Sequence, residues 1–298
     1  MAKISVLGLG NWGTALAHHL ARSGHSVTGW TKEDEVIDGI KKNRRNPACL
    51  TDIELDKNIE ATSDLSKALD SEIVLIVFAS AALKEMIPRL TLKPGTILVS
   101  AIKGLESSTA LTPLQFAELH LPQKTSLATI SGPSFARDVI ANKPCGVVVA
   151  SHNDACAHLV ADLFQSECMK VYTSADPLGV ELGGILKNVI AVAVGVSDGL
   201  ELGDSARAGL ITRGLAEITR LADAMGADIR TLSGLSGLGD LAMTATSDQS
   251  RNRTVGLRLG RGELLEDIVR SLGSVAEGVR TAAIVHELAL THNVQMPI

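Results

Sequence analysis

Lys3 to Leu7 is a short apolar run, and glycines stand at positions 8, 10 and 13 directly after it, ahead of the periodic stretch NWGTALAHHLAR. A strand turning through G-x-G-x-x-G into a helix, then a glycine stop and a second strand, predicts a dinucleotide-binding βαβ unit. Gly8 permits the tight turn, Gly10 lets the backbone approach a pyrophosphate, and Gly13 lets helix pack on strand. The helix amino terminus then faces the anion with its free N–H groups. Asn11 and Trp12 sit at the tip of the turn, within reach of a bound dinucleotide, although Trp12 serves equally well as a packing lid.

Further apolar runs at Ile73 to Ser80, Thr96 to Gly104, Ser126 to Pro133 and Cys145 to Ser151 read as strands, with helical stretches between them such as Ala81 to Leu90 and Leu111 to Leu119. This alternation predicts a doubly wound, mainly parallel Rossmann-type sheet, in which ligands gather beyond the carboxyl ends of the strands. Lys103 falls at such an end, and so does Ser131-Gly132-Pro133-Ser134, which opens a helix. Taken singly, Lys103 also reads as a surface lysine, and the serine and glycine as a turn and cap. The second strand ends at Trp30 and Thr31 with no acid to bind a ribose 2'-hydroxyl, and Lys32 follows. Lys32 suits a 2'-phosphate and favours NADP(H), while Glu33 beside it keeps NAD(H) open.

Beyond MKVYTSADPLG the strand pattern stops, and the remainder reads as helices broken by glycine-rich turns such as GLSGLGD. The expected architecture is therefore α/β, with a Rossmann domain over residues 1–178 and an all-helical domain over 179–298. Together they suggest an enzyme with cofactor on one wall of a cleft and catalytic groups on the other. In VELGGILKNVIAVAV, Lys187 lies inside an apolar helical pattern that no change of register turns to solvent. A lysine there either snorkels to water or occupies a site that perturbs its proton affinity. Gly179, Gly183 and Gly184 weaken the helix, which points to close approach by another backbone or a ligand, and Asn188 stands beside Lys187. Downstream, Asp240 and Thr244 are one helical turn apart, though Asp240 also reads as a cap. Ser250, Arg251 and Asn252 open a helix whose N–H groups and guanidinium suit a phosphate. Arg253, Arg258 and Arg261 read as a solvated basic face.

Composition removes several classes of function. The 298 residues carry a net charge of -5, which gives no general attraction for nucleic acid or anionic membrane. The longest apolar stretch, Ile185 to Val196, is broken by Lys187 and Asn188, so no membrane span is expected. Cys49, Cys145, Cys156 and Cys168 lack the spacing of a metal or redox pair and are expected to be reduced thiols in the cytoplasm. No metal site is expected.

Read together and in order, GLGNWGTALA, AIKGLE, ISGPSFA, ELGGILKNVIAVAVGVSDGL, GLGDL and QSRNR resemble the soluble, bacterial-type NAD(P)-dependent glycerol-3-phosphate dehydrogenases from residue 4 almost to the end. The resemblance implies a helical domain like that of 6-phosphogluconate dehydrogenase. It also implies reversible reduction of dihydroxyacetone phosphate to sn-glycerol 3-phosphate for phospholipid synthesis, and a homodimer. It assigns the catalytic acid/base to Lys187, and substrate contacts to Lys103, Gly132, Ser134, Asp240, Ser250, Arg251 and Asn252; Asn188 and Thr244, singled out by the pattern of residues, are expected as substrate contacts too. Cofactor contacts fall on Asn11, Trp12, Lys32, Lys103, Ala136, Arg251, Val275 and Glu277. The run SVAEGVR departs from the family pattern around Val275 while keeping Glu277. The alternatives are a related β-hydroxyacid dehydrogenase and a non-catalytic NAD(P)-binding protein.

Overall fold

The structure is a computed structural model describing every residue except Gln123 and 273–275. The chain divides into two compact units, the first made of Met1–Ile102, Pro113–Ile130 and Ser134–Pro177, the second of Lys103–Thr112, Ser131–Pro133 and Leu178–Ile298. The sequence suggests a single boundary near residue 178. Two short segments upstream of it nevertheless fold with the second unit: Lys103 bonds to Asp240 and Asn188 of its helices, and the Gly132 carbonyl accepts from Lys103.

The first unit begins β1 (Lys3–Leu7), α1 (Asn11–Arg22), β2 (Ser26–Trp30), α2 (Asp34–Asn43), β3 (Ile59–Thr62), α3 (Leu65–Leu69), β4 (Ile73–Ile76), α4 (Leu83–Met86). It continues β5 (Ile97–Ser100), α5 (Pro113–His120), β6 (Ser126–Ser131), α6 (Ala136–Ile140), β7 (Cys145–Ala150), α7 (Asp154–Phe164), β8 (Met169–Ser174). One eight-stranded sheet runs β3-β2-β1-β4-β5-β6-β7-β8. Pairing is parallel from β3 through β6 and again between β7 and β8. β4 and β5 are buried at every residue, as strands covered on both faces must be. Both are shorter than their apolar runs suggest, since the chain leaves the sheet after Ile76 and Ser100 to form loops. β3 has no apolar run to announce it: IEAT is held by pairing with β2, not by its own pattern.

The glycine turn joins β1 to α1. Gly8 has φ +110, and a Cβ there would meet the Phe78 nitrogen at 2.8 Å, while one on Gly13 would stand 1.8 Å from the Gly8 carbonyl oxygen. At Gly10 a Cβ would meet no described atom within 4 Å, so backbone is left open to approach at that point. Asn46, fully buried, donates to the Leu9 carbonyl at 2.8 Å and to Thr14 Oγ1 at 2.9 Å, bracing the turn from the far side of α2.

The second unit contains α8 (Pro177–Gly199), α9 (Asp204–Ala224), α10 (Ile229–Leu232), α11 (Asp240–Thr246), α12 (Arg251–Gly260), α13 (Leu265–Leu272) and α14 (Glu277–Thr291). Contrary to the expectation from its polar break, α8 is long and apolar enough to cross a membrane, with 23 residues and a mean hydropathy of 1.6. Within the protein 78% of that stretch is buried, and Leu182, Ile185, Leu186, Ile190 and Val194 form the centre of this unit's core. The apolarity that marks a bilayer span here marks a helix packed on several sides.

α8 and α12 meet backbone to backbone. A Cβ on Gly195 would lie 2.2 Å from the Arg253 carbonyl oxygen, and one on Gly256 2.0 Å from that of Val192. Helix propensity alone makes glycine-to-alanine favourable by about 1 kcal/mol. Here the colliding atoms are main chain and the helices must part, so Gly256→Ala is expected to lose about 1–3 kcal/mol. A lower urea midpoint would show this, and a midpoint at or above wild type would contradict the contact.

Candidate active site

The second unit gathers the polar residues that sequence patterns single out in widely separated stretches. Lys103 begins a loop folded around Glu106. That buried carboxylate accepts from the amides of Ser108 and Thr109 at 3.0 and 2.8 Å, and from their hydroxyls at 2.8 and 2.7 Å. Burial pushes its carboxyl up, but these hydrogen bonds outweigh burial and hold it below its usual range. Glu106 shows no helical or strand periodicity, so nothing local in the sequence marks it as the post of this loop.

Asp240 opens α11 directly after a π-helical turn, Leu235–Gly239. Gly183 on α8 makes room for that turn, since a Cβ there would stand 2.7 Å from the Ser236 carbonyl oxygen. Gly183 of α8 thus serves close backbone approach, setting the fully buried Asp240 against Lys187, while Gly184 makes room for the Ser131 and Lys103 side chains, with a Cβ there 2.4 Å from Ser131 Oγ. Lys187 Nζ donates to Asp240 Oδ1 at 2.7 Å and to Thr244 Oγ1 at 2.6 Å. Lys103 Nζ donates to Asp240 Oδ2 at 2.6 Å and to the Gly132 carbonyl at 3.3 Å. Gly132 carries φ +143, a conformation that favours glycine.

Two ammonium groups share one carboxylate. Burial lowers the Lys187 pKa, Asp240 opposes the fall and Lys103 adds to it, leaving it at about 8. Burial pushes the Asp240 carboxyl up, but the two ammoniums reverse this and hold it below its usual range. The result is a buried amine that holds its proton less tightly than an ordinary lysine, beside a carboxylate held below its usual range.

A line of amides supports the cluster. Asn188 Nδ2 donates to the Lys103 and Gly184 carbonyls, both at 3.4 Å, while its Oδ1 accepts from Asn252 Nδ2 at 2.8 Å. Asn252 Oδ1 accepts from the Gly278 amide at 2.9 Å, which ties the start of α12 to the start of α14 beside Glu277. Ser250 caps α12 by accepting from the Arg253 amide at 3.2 Å, and Arg251 is exposed on its first turn. Val275 lies outside the described residues. Arg253 does not belong to a solvated face. Its Nε lies 2.8 Å and its Nη2 2.7 Å from Asp198 Oδ2, and its Nη1 lies 2.6 Å from Asp248. Packing of α12 on α8 through glycine brings that side chain inward.

The cofactor candidates from the glycine turn, together with Lys32 and Ala136, belong to the first unit. Asn11 is exposed and begins α1, whose amino terminus carries no side-chain cap among the described residues. Trp12 packs against the core, and its buried Nε1 has no partner among the described residues. Ala136 begins α6, and Lys32 lies exposed just past β2. Open space at Gly10, an uncapped helix start and an indole N–H awaiting an acceptor fit a pyrophosphate-bearing dinucleotide. Ser134, also in this unit, is buried.

Two family models cover nearly the whole chain: the NAD-dependent glycerol-3-phosphate dehydrogenase N-terminus over residues 3–157 and its C-terminus over residues 176–298. The chain is 48% identical over 297 residues to glycerol-3-phosphate dehydrogenase [NAD(P)+] of Halorhodospira halophila, covering 99% of this chain and 89% of that one. It is 46% identical over 301 residues to the Geobacter sulfurreducens protein of the same name, with 99% and 90% covered. A crystal structure of glycerol-3-phosphate dehydrogenase from Coxiella burnetii superposes with TM-score 0.95 at 39% identity, covering 99% of this chain and 91% of that one.

Removing the shared carboxylate tests the electrostatic account. Asp240→Ala leaves two ammoniums without their counter-ion, and stripping one partner from a buried pair costs about 3–5 kcal/mol. The pKa of Lys187 should fall below its wild-type value, which cross-saturation or chemical labelling of the amine against pH would detect. An unchanged labelling profile would show that Asp240 does not hold the proton on Lys187.

Proposed function

The chain belongs to the NAD-dependent glycerol-3-phosphate dehydrogenase family, and on that premise we propose that it catalyses the reversible reduction of dihydroxyacetone phosphate to sn-glycerol 3-phosphate, with Lys187 as general acid and base. The observation that carries this reading is the buried Lys187 amine, held between Asp240 and Thr244 with its pKa drawn down to about 8. A bound NAD(P)H supplies the hydride. Lys187 in its ammonium form gives a proton to the oxygen on the substrate's middle carbon during reduction, and as the amine takes it back during oxidation. Lys103 and Asp240 orient that amine and the substrate hydroxyls, with Gly132 and Ser134 as further contacts.

Arg251 and the start of α12 hold the phosphate, remote from the reacting carbon. Ser250 accepts a main-chain hydrogen bond as helix cap and keeps its own hydroxyl hydrogen for a phosphate oxygen. Asn252 and Asn188 fix where this grip stands relative to Lys103. Binding energy spent on the phosphate positions the ketone. On the dinucleotide, Gly8, Gly10 and Gly13 with Asn11 and Trp12 hold the pyrophosphate end, Lys32 meets a 2'-phosphate and favours NADP(H), and Ala136, Val275 and Glu277 complete the contacts. A homodimeric assembly, a cytoplasmic location and a supply of phospholipid precursor belong to the same proposal, carried by the family resemblance.

Purified protein should oxidise NADPH or NADH when given dihydroxyacetone phosphate. Lys187→Ala should lower kcat by about 10²–10⁴-fold, the usual worth of a general acid/base, with dinucleotide Kd unchanged. Wild-type turnover in that variant would end the assignment.

The pH profiles have opposite signs in the two directions. Oxidation needs the amine, so kcat/KM for glycerol 3-phosphate should rise as pH passes about 8, whereas reduction needs the ammonium and should fall through the same value. Parallel profiles in both directions would exclude Lys187 as the proton carrier.

A further inference from the structure

In the sheet of the first unit, β1 lies between β2 and β4, and the glycine turn springs from the carboxyl end of β1. A dinucleotide seated on that turn lies over this end, with the exit of β2 on one flank and the exit of β4 on the other. Lys32 stands two residues beyond β2, and Glu85 stands on α4, the helix after β4. Their side chains join across the end of β1, with Lys32 Nζ 2.8 Å from Glu85 Oε1 and both side chains more than half exposed. Arg89 Nη1 reaches the same carboxylate oxygen at 3.2 Å, so Glu85 keeps a second cation when Lys32 leaves. The nearest acid in sequence, Glu33, is engaged differently: its carboxylate accepts from the Thr31 hydroxyl.

We infer that Glu85 is a determinant of cofactor choice, competing with the ribose 2'-phosphate for Lys32 and thereby reducing the preference for NADP(H) that Lys32 confers. The inference rests on reading the glycine turn as a dinucleotide site. NADH presents only a hydroxyl at the 2' position and leaves the Lys32–Glu85 pair in place. NADPH brings a phosphate carrying close to two negative charges, which takes Lys32 from Glu85 and meets the repulsion of the carboxylate left behind. An exposed ion pair is weak enough to exchange partners in this way, and Arg89 stabilises the carboxylate once it has done so. Glu85 therefore lowers affinity for the phosphorylated dinucleotide without touching the other.

The test measures Kd for NADPH and for NADH by calorimetry, without substrate, for wild type, Glu85→Gln, Lys32→Met and the control Glu60→Gln. Glu60 is an exposed acid on β3 paired with Lys67 at 2.9 Å, and its substitution makes the same change in net charge. Glu85→Gln should raise the ratio of the NADH to the NADPH Kd by about 2- to 5-fold, the scale of an exposed ion pair. Lys32→Met should lower that ratio, and both effects should shrink in about 1 M salt, where the Debye length is only about 3 Å. A ratio in Glu85→Gln unchanged from wild type, or matched by Glu60→Gln, overturns the inference. A protein that binds both dinucleotides but turns over neither loses the proposed activity while leaving this inference to stand or fall on the ratio; one that binds neither loses both.

Discussion

One carboxylate organises the second unit. Asp240 is wholly buried, and its two oxygens hold Lys103 and Lys187, which come from stretches 137 and 53 residues away. Two cations against one anion leave a local excess of positive charge where water is scarce and charges act strongly on one another. That excess outweighs the upward push of burial on the Asp240 carboxyl and keeps it ionised, while at Lys187 burial draws the pKa down to about 8, Asp240 opposing the fall and Lys103 adding to it. It also suits a substrate bearing a phosphate. The same arrangement thus fits the acid/base role proposed for Lys187.

Main-chain contacts make this carboxylate available. The π turn that delivers Asp240 sits against α8 only because position 183 is glycine. α12 brings Asn252 to Asn188 because glycines on both helices let their backbones touch. The amide line from Lys103 through Asn188 and Asn252 to Gly278 then sets these pieces in register. In the first unit the division of labour is similar. Gly8 and Gly13 are occupied by packing, Gly10 remains open, and the buried Asn46 braces the turn.

Much of the plan was legible from sequence because it is local. The apolar run into G-x-G-x-x-G specifies strand, turn and helix within a few residues, and Lys187 stands out because a charged group interrupts a helical apolar pattern. Asp240 and Thr244 were legible as a pair through helical spacing, and Arg251 through its place at a helix start. β3, the Glu106 post, Asn46 and the inward turn of Arg253 were not, since each owes its role to a partner distant in the chain. The membrane-like character of α8 shows the same ambiguity, because apolarity does not distinguish lipid from a packed interior.

The sequence by itself determined which groups can titrate, which backbones can approach closely, and where helices and strands begin, because these follow from side-chain chemistry and from periodicities of two and 3.6 residues. Only the tertiary structure decided that two lysines share one aspartate, that Lys32 faces Glu85 across the end of β1, and that Lys103 folds with the second unit. The value of a pKa or an ion pair depends on distances of a few ångströms between residues far apart in the chain, and no local pattern encodes them.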